Sequence, residues 1–177
     1  MTRRLRIAIP LFPRFTALDA VGPYEVLAQI PAFDITFVGH ARGEVRTDNG
    51  MLGLVVDGRF EDLPNPDVIV FPGGDTRPLQ SDARVLDWVR GAHASSTYTT
   101  SVCTGSLVLG AAGLLDGLTA TTHWARYADL EAADDTLEVV AGRCGLGSAE
   151  SLRRVFHRHL GVSPDAYRRR FRTTTPR

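Results

Sequence analysis

Short apolar runs alternate with amphipathic segments along residues 5–133. Runs rich in apolar and β-branched residues predict strands, which cover 5–9, 35–38, 67–71, 97–102 and 119–122. Segments with apolar residues at helical spacing predict helices, which cover 17–30, 82–94, 106–113 and 123–133. The run 67–71 is almost continuously apolar, as in a strand covered on both faces. The apolar and β-branched run 97–102 is also expected to form a buried strand. The alternation therefore predicts an α/β domain with a doubly wound, mostly parallel sheet.

The same pattern predicts local detail. Residues 45–56 turn at Asp48-Asn49-Gly50 and predict a β-hairpin. Pro23 lies in the first turns of the helix at 17–30, which predicts a late start or a kink. The side chains expected to be buried on the first two helices are Leu18, Val21, Val26, Leu27, Val85, Leu86 and Val89.

The periodicity changes after residue 134. Asp135 and Glu138 fit a capping box at the start of a helix. A glycine turn at 144–147 follows, and a second helix is predicted over 149–160. Two helices joined by a short glycine turn are typical of a helix-turn-helix. We therefore predict two domains, 1–134 and 135–177.

The formal net charge of zero hides a difference between these two parts. Residues 1–134 carry 11 arginines against 16 acidic residues, whereas residues 135–177 carry nine arginines against four. The chain has no lysine. A basic tail on an acidic body favours binding of a polyanion. A solvated helical tail is the alternative interpretation.

Composition also limits the location and the cofactors. The two cysteines do not fit a metal-binding spacing and favour a reducing compartment, so we expect a cytoplasmic protein. No apolar run approaches the roughly 18 residues that span a membrane, and the N-terminus lacks a signal-peptide core. We therefore expect no membrane association. No histidine and carboxylate spacing suggests a metal, and no cofactor is expected.

Cys103 lies where a predicted strand turns into a predicted helix, in the stretch Ser101-Val102-Cys103-Thr104-Gly105-Ser106. This arrangement is typical of a nucleophile elbow, with sulfur in place of a serine oxygen. A helix N-terminus favours the thiolate, so we expect a pKa below about 8.5 for Cys103. A small buried cysteine after a core strand is an alternative of equal weight.

Residues 5–133 resemble the ThiJ/PfpI superfamily, which implies a flavodoxin-like, class I glutamine-amidotransferase-like fold. The matching segments are Phe15-Thr16-Ala17-Leu18-Asp19-Ala20-Val21-Gly22-Pro23-Tyr24-Glu25-Val26, Pro72-Gly73-Gly74, Val102-Cys103-Thr104-Gly105-Ser106 and Ala120-Thr121-Thr122-His123-Trp124. Within the superfamily, the sequence of these segments looks most like those of isonitrile hydratases and of the sensor domains of amidotransferase-like transcription regulators.

The resemblance implies roles for single residues. It implies Cys103 as the nucleophile and Asp19 as the acid that faces it. It also places the amides of Gly73 and Gly74 near the oxyanion position. In isonitrile hydratases the residue after the cysteine matters as well, which here is Thr104.

Two of the candidate residues have a structural alternative. Asp19 could instead be a favourable charge in the first turn of a helix. His123 could be a base or a substrate contact, although a residue that starts a helix with its hydrogen bond satisfied is the favoured interpretation. Glu25 is expected to be an ordinary helix residue, and Cys144 a thiol packed in a turn.

Residues 135–173 resemble the second helix-turn-helix of the AraC/XylS regulator family. The matching runs are 137–141, 143–148, 152–156 and 160–168. Side chains early in a recognition helix meet base edges, and arginines elsewhere contact phosphates. The expected DNA-binding residues are Ser148, Glu150, Ser151, Arg153, Arg154, Arg158, Arg168, Arg169 and Arg170.

The two resemblances meet at a shortened joint. ThiJ/PfpI domains continue past the Thr-His-Trp segment with a further strand and helix, and AraC-type units carry two helix-turn-helix motifs. Both missing pieces would lie between Ala133 and Asp135. The chain thus looks like an amidotransferase-like AraC regulator with its middle removed.

Two hypotheses for the function follow. The preferred one is a shortened AraC-type transcription regulator whose α/β domain senses a small molecule. The alternative is a cysteine enzyme resembling isonitrile hydratase, which adds water to an isonitrile to give an N-substituted formamide. The expected partners are DNA, bound weakly by a lone motif, and a small-molecule ligand or isonitrile-like substrate. A homodimer is left open.

Overall fold

The computed structural model describes residues 3–127, together with residues 130, 154, 157 and 158. The chain divides into two compact units, Met1–Leu114 and Leu115–Arg177. The first unit contains the sheet and the candidate site around Cys103.

A five-stranded parallel sheet forms the centre of the first unit. Its strands, in chain order, are β1 (Leu5–Pro10), β2 (Phe33–Gly39), β5 (Gly58–Arg59), β6 (Val68–Phe71) and β7 (Tyr98–Ser101), and they lie in the order β5-β2-β1-β6-β7. All four neighbouring pairs are parallel. The predicted mostly parallel α/β fold is therefore confirmed.

The interior strands hold the apolar core. Ile7, Ile9, Ile69 and Phe71 are each at most 1% exposed. Burial of Ile69 and Phe71 fits the almost continuous apolar run at 67–71. The strand that precedes Cys103 is different, because β7 is the last strand of the sheet among the described residues. Tyr98 is accordingly 64% exposed, so the expectation of a buried strand here was wrong.

Helices connect the strands. They are α1 (Ala17–Leu27), α2 (Ala83–His93) and α3 (Gly105–Ala111). Asp82 caps α2 by accepting bonds from the amides of Arg84 at 3.0 Å and Val85 at 3.3 Å. The predicted core positions on α2 are buried.

The first helix departs from its prediction in two respects. Pro23 lies inside α1, which begins at Ala17 and continues past the proline. Leu18 and Val26 were expected to be buried but are 75% and 69% exposed. The buried residues of α1 are instead Asp19 and Ala20. The buried face of the helix therefore carries a carboxylate towards the sheet.

The predicted hairpin forms a separate two-stranded sheet. Its antiparallel strands are β3 (Gly43–Arg46) and β4 (Gly53–Val56). Gly50 adopts a φ of 72° in the turn between them, a conformation that glycine takes without strain. The hairpin prediction is confirmed, and the turn carries Asp48.

The topology brings three loops together. The carboxyl ends of adjacent parallel strands lie at the same edge of a sheet, where open α/β sheets bind ligands. Strands β1, β6 and β7 are neighbours, so the loops after Pro10, Phe71 and Ser101 meet at that edge. These loops lead to Asp19, Gly73 and Cys103.

The second unit is described only in part. Residues 119–122 form no strand, so the strand predicted from their threonines was wrong. A short 3-10 helix follows at Trp124–Arg126. Most of the expected helix-turn-helix lies outside the described residues. In the part that the structure describes, no helix is long and apolar enough to cross a membrane.

Candidate active site

Cys103 occupies a strained turn between β7 and α3. Its φ of 56° places a residue with a side chain in the left-handed region, which costs about 1–3 kcal/mol and marks many functional sites. The turn is tied to the neighbouring strand, because the Val102 amide donates to the Phe71 carbonyl at 2.9 Å. A Cβ at Gly105 would lie 2.2 Å from that carbonyl oxygen, so only glycine fits where the helix starts. This is the predicted elbow geometry.

Gly73 allows the acid and the thiol to approach each other. A Cβ at this position would lie 2.7 Å from the Asp19 Oδ2 and 2.8 Å from the Cys103 Cβ. The Gly73 amide also donates a buried hydrogen bond of 3.1 Å to the same Oδ2. Asp19 is only 7% exposed. The absence of a side chain at Gly73 therefore leaves the space in which the carboxylate and the thiol meet.

Gly74 fixes the position of the Thr104 side chain. The Gly74 amide donates to the Thr104 Oγ1 at 2.9 Å, and the threonine hydroxyl donates back to the Gly74 carbonyl at 3.0 Å. Both glycine amides thus serve protein side chains. The family resemblance placed them near an oxyanion position, whereas in this structure the amide of Gly73 holds Asp19 and that of Gly74 holds Thr104.

The electrostatics of Cys103 differ from the expectation. Burial raises the pKa of the thiol, the negative charge of Asp19 raises it further, and the hydrogen bonds from Thr104 lower it by less. The expected lowering by a helix N-terminus was wrong. The helix α3 has only seven residues, so its N-terminus offers little to offset burial and an adjacent carboxylate.

This arrangement lets one proton serve two groups. The Cys103 thiol hydrogen-bonds to the Asp19 carboxylate. Because the thiol holds its proton, the sulfur becomes nucleophilic when Asp19 takes that proton. The same acid can then return it to the atom that the sulfur attacks. The pair is suited to an addition that needs a nucleophile and a proton at one carbon.

Sequence reasoning missed the segment that connects the hairpin to the site. We call residues 14–16 the bridging segment. Phe15, which is fully buried, pairs with Thr47 of the hairpin on one side and with Gly74 on the other. The Thr16 amide donates to the Gly73 carbonyl at 2.9 Å. These pairings join distant parts of the chain, so no local sequence signal indicates them.

An ion cluster next to the glycine loop was also missed. Asp75 follows Gly74 and accepts a forked pair of bonds from Arg77, at 2.7 and 2.9 Å. The Arg14 Nε lies 3.6 Å from the same carboxylate. These hydrogen bonds and positive charges lower the pKa of Asp75. A carboxylate right after a Pro-Gly-Gly turn is the sequence signal that could have indicated this cluster.

The remaining candidates lie in the second unit. The His123 Nδ1 accepts a bond of 3.3 Å from the Ala125 amide at the start of the short 3-10 helix, which fits the structural alternative. A catalytic role for His123 stays a prediction.

Arg154 and Arg158 are helical and exposed, and the other expected DNA-binding residues lie outside the described residues. Among the described residues, no cluster of histidine, cysteine or carboxylate groups could hold a metal.

Comparisons with known proteins show what this chain is similar to. The sequence model of the DJ-1/PfpI family matches residues 5–144. An isonitrile hydratase from Pseudomonas putida is 50% identical over 127 residues, which cover 71% of this chain and 55% of that enzyme. A solved ThiJ/PfpI family protein from Pseudomonas syringae is 38% identical with a TM-score of 0.66, over 69% of this chain and 51% of that one.

The chain also matches two transcriptional regulators, of which it spans smaller shares than it does of the hydratase. The HTH-type transcriptional regulator CdhR from Pseudomonas aeruginosa is 37% identical over 120 residues, which cover 64% of this chain and 35% of the regulator. An HTH-type transcriptional regulator from Mycobacterium tuberculosis is 52% identical over 42 residues, which cover 24% of this chain and 16% of the regulator. The fusion to an AraC-type helix-turn-helix therefore stays a prediction, as does the domain boundary after residue 134. The chain spans about half the length of the isonitrile hydratase and of the solved ThiJ/PfpI protein. On the match over residues 5–144, the chain belongs to the DJ-1/PfpI family.

Proposed function

We propose that the α/β domain is a cysteine-dependent hydratase that converts an isonitrile and water into an N-substituted formamide. The observation that carries this proposal is the hydrogen-bonded pair of Asp19 and Cys103, held together at Gly73. The 50% identity to an isonitrile hydratase supports the choice of substrate class. This reverses the order of the two sequence-based hypotheses, because the comparisons favour the enzyme over the regulator.

The mechanism uses the shared proton. Asp19 takes the thiol proton as the sulfur of Cys103 attacks the terminal carbon of the isonitrile. Asp19 then gives that proton to the same carbon, which leaves a thioimidate, R–N=CH–S–Cys. Water adds across the C=N bond, the C–S bond breaks, and the sulfur recovers a proton as the formamide leaves. The sum is one isonitrile and one water giving one formamide.

Thr104 supports this chemistry from the other side. Its backbone amide donates a hydrogen bond to the sulfur and favours the thiolate. The two bonds to Gly74 hold the threonine in place while the sulfur charge develops. Thr104→Val should therefore slow the attack by about 10-fold without weakening substrate binding.

Steady-state assays with a simple alkyl isonitrile test the proposal. Formamide is measured by chromatography for the unmutated chain, Cys103→Ala and Asp19→Asn. We expect turnover by the unmutated chain and losses of about 100-fold or more in both variants. Asp57→Asn, which alters an exposed acid away from the glycine loop, is the matched control and should keep full activity. Equal rates for all four proteins would refute the hydratase.

A second candidate function is a DNA-binding regulator with a sensing α/β domain. The match of 42 residues to an HTH-type regulator and the arginine-rich tail favour it. About three to five phosphate contacts would make log affinity fall with log salt at a slope of about −3 to −4. Fluorescence anisotropy on a duplex at two salt concentrations measures this slope. Replacing Arg168, Arg169 and Arg170 together by Gln should flatten it, and absence of binding at low salt would exclude this function.

A further inference from the structure

We propose that Asp48, in the turn of the β3–β4 hairpin, is a positioning residue for Asp19 and acts through Thr16 at the start of α1. The inference rests on the proposed hydratase for its effect on turnover. Its effect on the reactivity of the Cys103 thiol can be measured without any turnover.

Backbone hydrogen bonds connect the hairpin to the site. The Arg14 amide donates to the Arg46 carbonyl at 2.9 Å, and the Asp48 amide donates to the Phe15 carbonyl at 2.9 Å. The bridging segment is thus hydrogen-bonded to the hairpin on one side. On its other side, the Thr16 amide donates to the Gly73 carbonyl at 2.9 Å. The hairpin and the glycine loop therefore hold the entry to α1 between them.

The Asp48 side chain adds a further contact between the hairpin and the start of α1. Thr16 is the N-cap residue of α1, but its hydroxyl makes no capping bond to the helix. The hydroxyl instead donates to the Asp48 Oδ2 at 3.3 Å. The other carboxylate oxygen, Oδ1, accepts a bond of 2.7 Å from the Asn49 amide, which fixes the carboxylate in the turn. A negative charge at the start of an 11-residue helix is also electrostatically favourable.

The first turn of α1 connects Thr16 to Asp19. The Asp19 amide donates to the Thr16 carbonyl at 3.1 Å, so the first turn of α1 moves with Thr16. The Asp19 carboxylate reaches Gly73 and the Cys103 thiol from this turn. A displacement of about 1 Å at a reacting group can cost about 100-fold in rate. A loose helix start would therefore weaken the acid and thiol pair although neither residue was altered.

The alternative explanation is a direct effect of the Asp48 charge. Removing a negative charge near the site would lower the pKa of the Cys103 thiol without any movement of Asp19. Among the described residues, Asp19 is the charged group whose field raises the pKa of the thiol. The two explanations differ in how an Asp48 variant behaves once Asp19 is neutral, and in how Asp48→Asn compares with Asp48→Ala.

The experiment measures alkylation of Cys103 by iodoacetamide against pH in a Cys144→Ser background. Asp48→Ala should shift the midpoint down towards that of Asp19→Asn. In the Asp19→Asn background, Asp48→Ala should cause no further shift. Asp48→Asn keeps an oxygen that accepts the hydrogen bond from the Thr16 hydroxyl, so it should leave the midpoint at the unmutated value. Thr16→Val should reproduce the shift of Asp48→Ala, and the two changes together should add nothing.

Asp57→Ala is the matched control, since it removes an exposed acid elsewhere on the same unit and should leave the midpoint unchanged. In the hydratase assay, Asp48→Ala should lower kcat about 10-fold and leave KM within about twofold. A shift that persists in the Asp19→Asn background, or equal shifts for Asp48→Asn and Asp48→Ala, would overturn the positioning role. The predicted midpoints in a chain without turnover would support the positioning role and refute the hydratase instead.

Discussion

Gly73→Ala perturbs the site at its centre with a single methyl group. The new Cβ would lie 2.7 Å from the Asp19 Oδ2, 2.8 Å from the Cys103 Cβ and 2.8 Å from the Thr104 amide nitrogen. All three distances are shorter than real Cβ contacts. The Thr104 amide nitrogen belongs to the backbone and cannot rotate away. The Asp19 carboxylate is the end of a side chain, so it is the neighbour that must move.

The expected magnitude combines two opposing effects. Overpacking of this kind destabilises a protein by about 1–3 kcal/mol. Replacing glycine by alanine also reduces the entropy of the unfolded chain, which stabilises by about 0.4–1 kcal/mol. The net loss in the free energy of unfolding should be about 1–2 kcal/mol. For a chain of this size, that corresponds to a fall in Tm of about 2–8 °C.

Two assays on one preparation test both consequences. Thermal unfolding measures the loss of stability, and alkylation of Cys103 against pH measures the separation of the acid from the thiol. The midpoint should fall, because Asp19 raises the pKa of the thiol only while it is close.

Gly91→Ala is the control. Gly91 lies in α2, and the Cβ of an alanine there would meet nothing within 4 Å. This change should therefore stabilise the helix by about 0.5–1 kcal/mol. If Gly73→Ala kept both the Tm and the midpoint, the packing argument for the site would be refuted.

Three further outcomes follow from the described residues. The folded chain holds the Cys103 proton more tightly than the unfolded chain. The protonated thiol therefore contributes to the free energy of unfolding, and this contribution is complete below about pH 8.5 and is lost as pH rises through the folded pKa. Unfolding in urea across alkaline pH should show this loss, and Cys103→Ala should remove it. Hydrogen bonds from Arg59 and Arg42 lower the pKa of Asp62 to about 2. The contribution of Asp62 to the free energy of unfolding should therefore be lost only as pH falls from about 4 through 2. Unfolding measured across acid pH should show this loss, and Asp62→Asn should remove it. Asp82→Ala removes the cap of α2 and should lower the Tm by about 2–4 °C in a calorimeter.

The sequence predicted those parts of the fold that depend on local pattern. The strand β1 is marked by alternation and β-branched residues, β6 is an apolar run, and Asp82 is a polar cap before an amphipathic helix, so each carries its own signal. The hairpin turn at Asp48-Asn49-Gly50 is equally local, because glycine supplies the positive φ.

The remaining features depend on which segments meet. Leu18 and Val26 look like core residues by spacing, but α1 buries the face that carries Asp19. The expected thiol pKa was wrong because position along the chain does not show how far the sulfur is buried, and because the expectation left out the negative charge of Asp19, which the family resemblance placed opposite the sulfur. The bridging segment pairs with residues more than 30 positions away, so no periodicity could indicate it.

The central claim is that Cys103, assisted by Asp19, adds water to an isonitrile. The most direct measurement is mass spectrometry of the formamide formed from cyclohexyl isocyanide at neutral pH in ¹⁸O-water. The account predicts ¹⁸O-labelled formamide with the unmutated chain, and only the enzyme-free background with Cys103→Ala and with Asp19→Asn. Labelled formamide at the unmutated rate from the Cys103→Ala protein, or none above background from the unmutated chain, would contradict it.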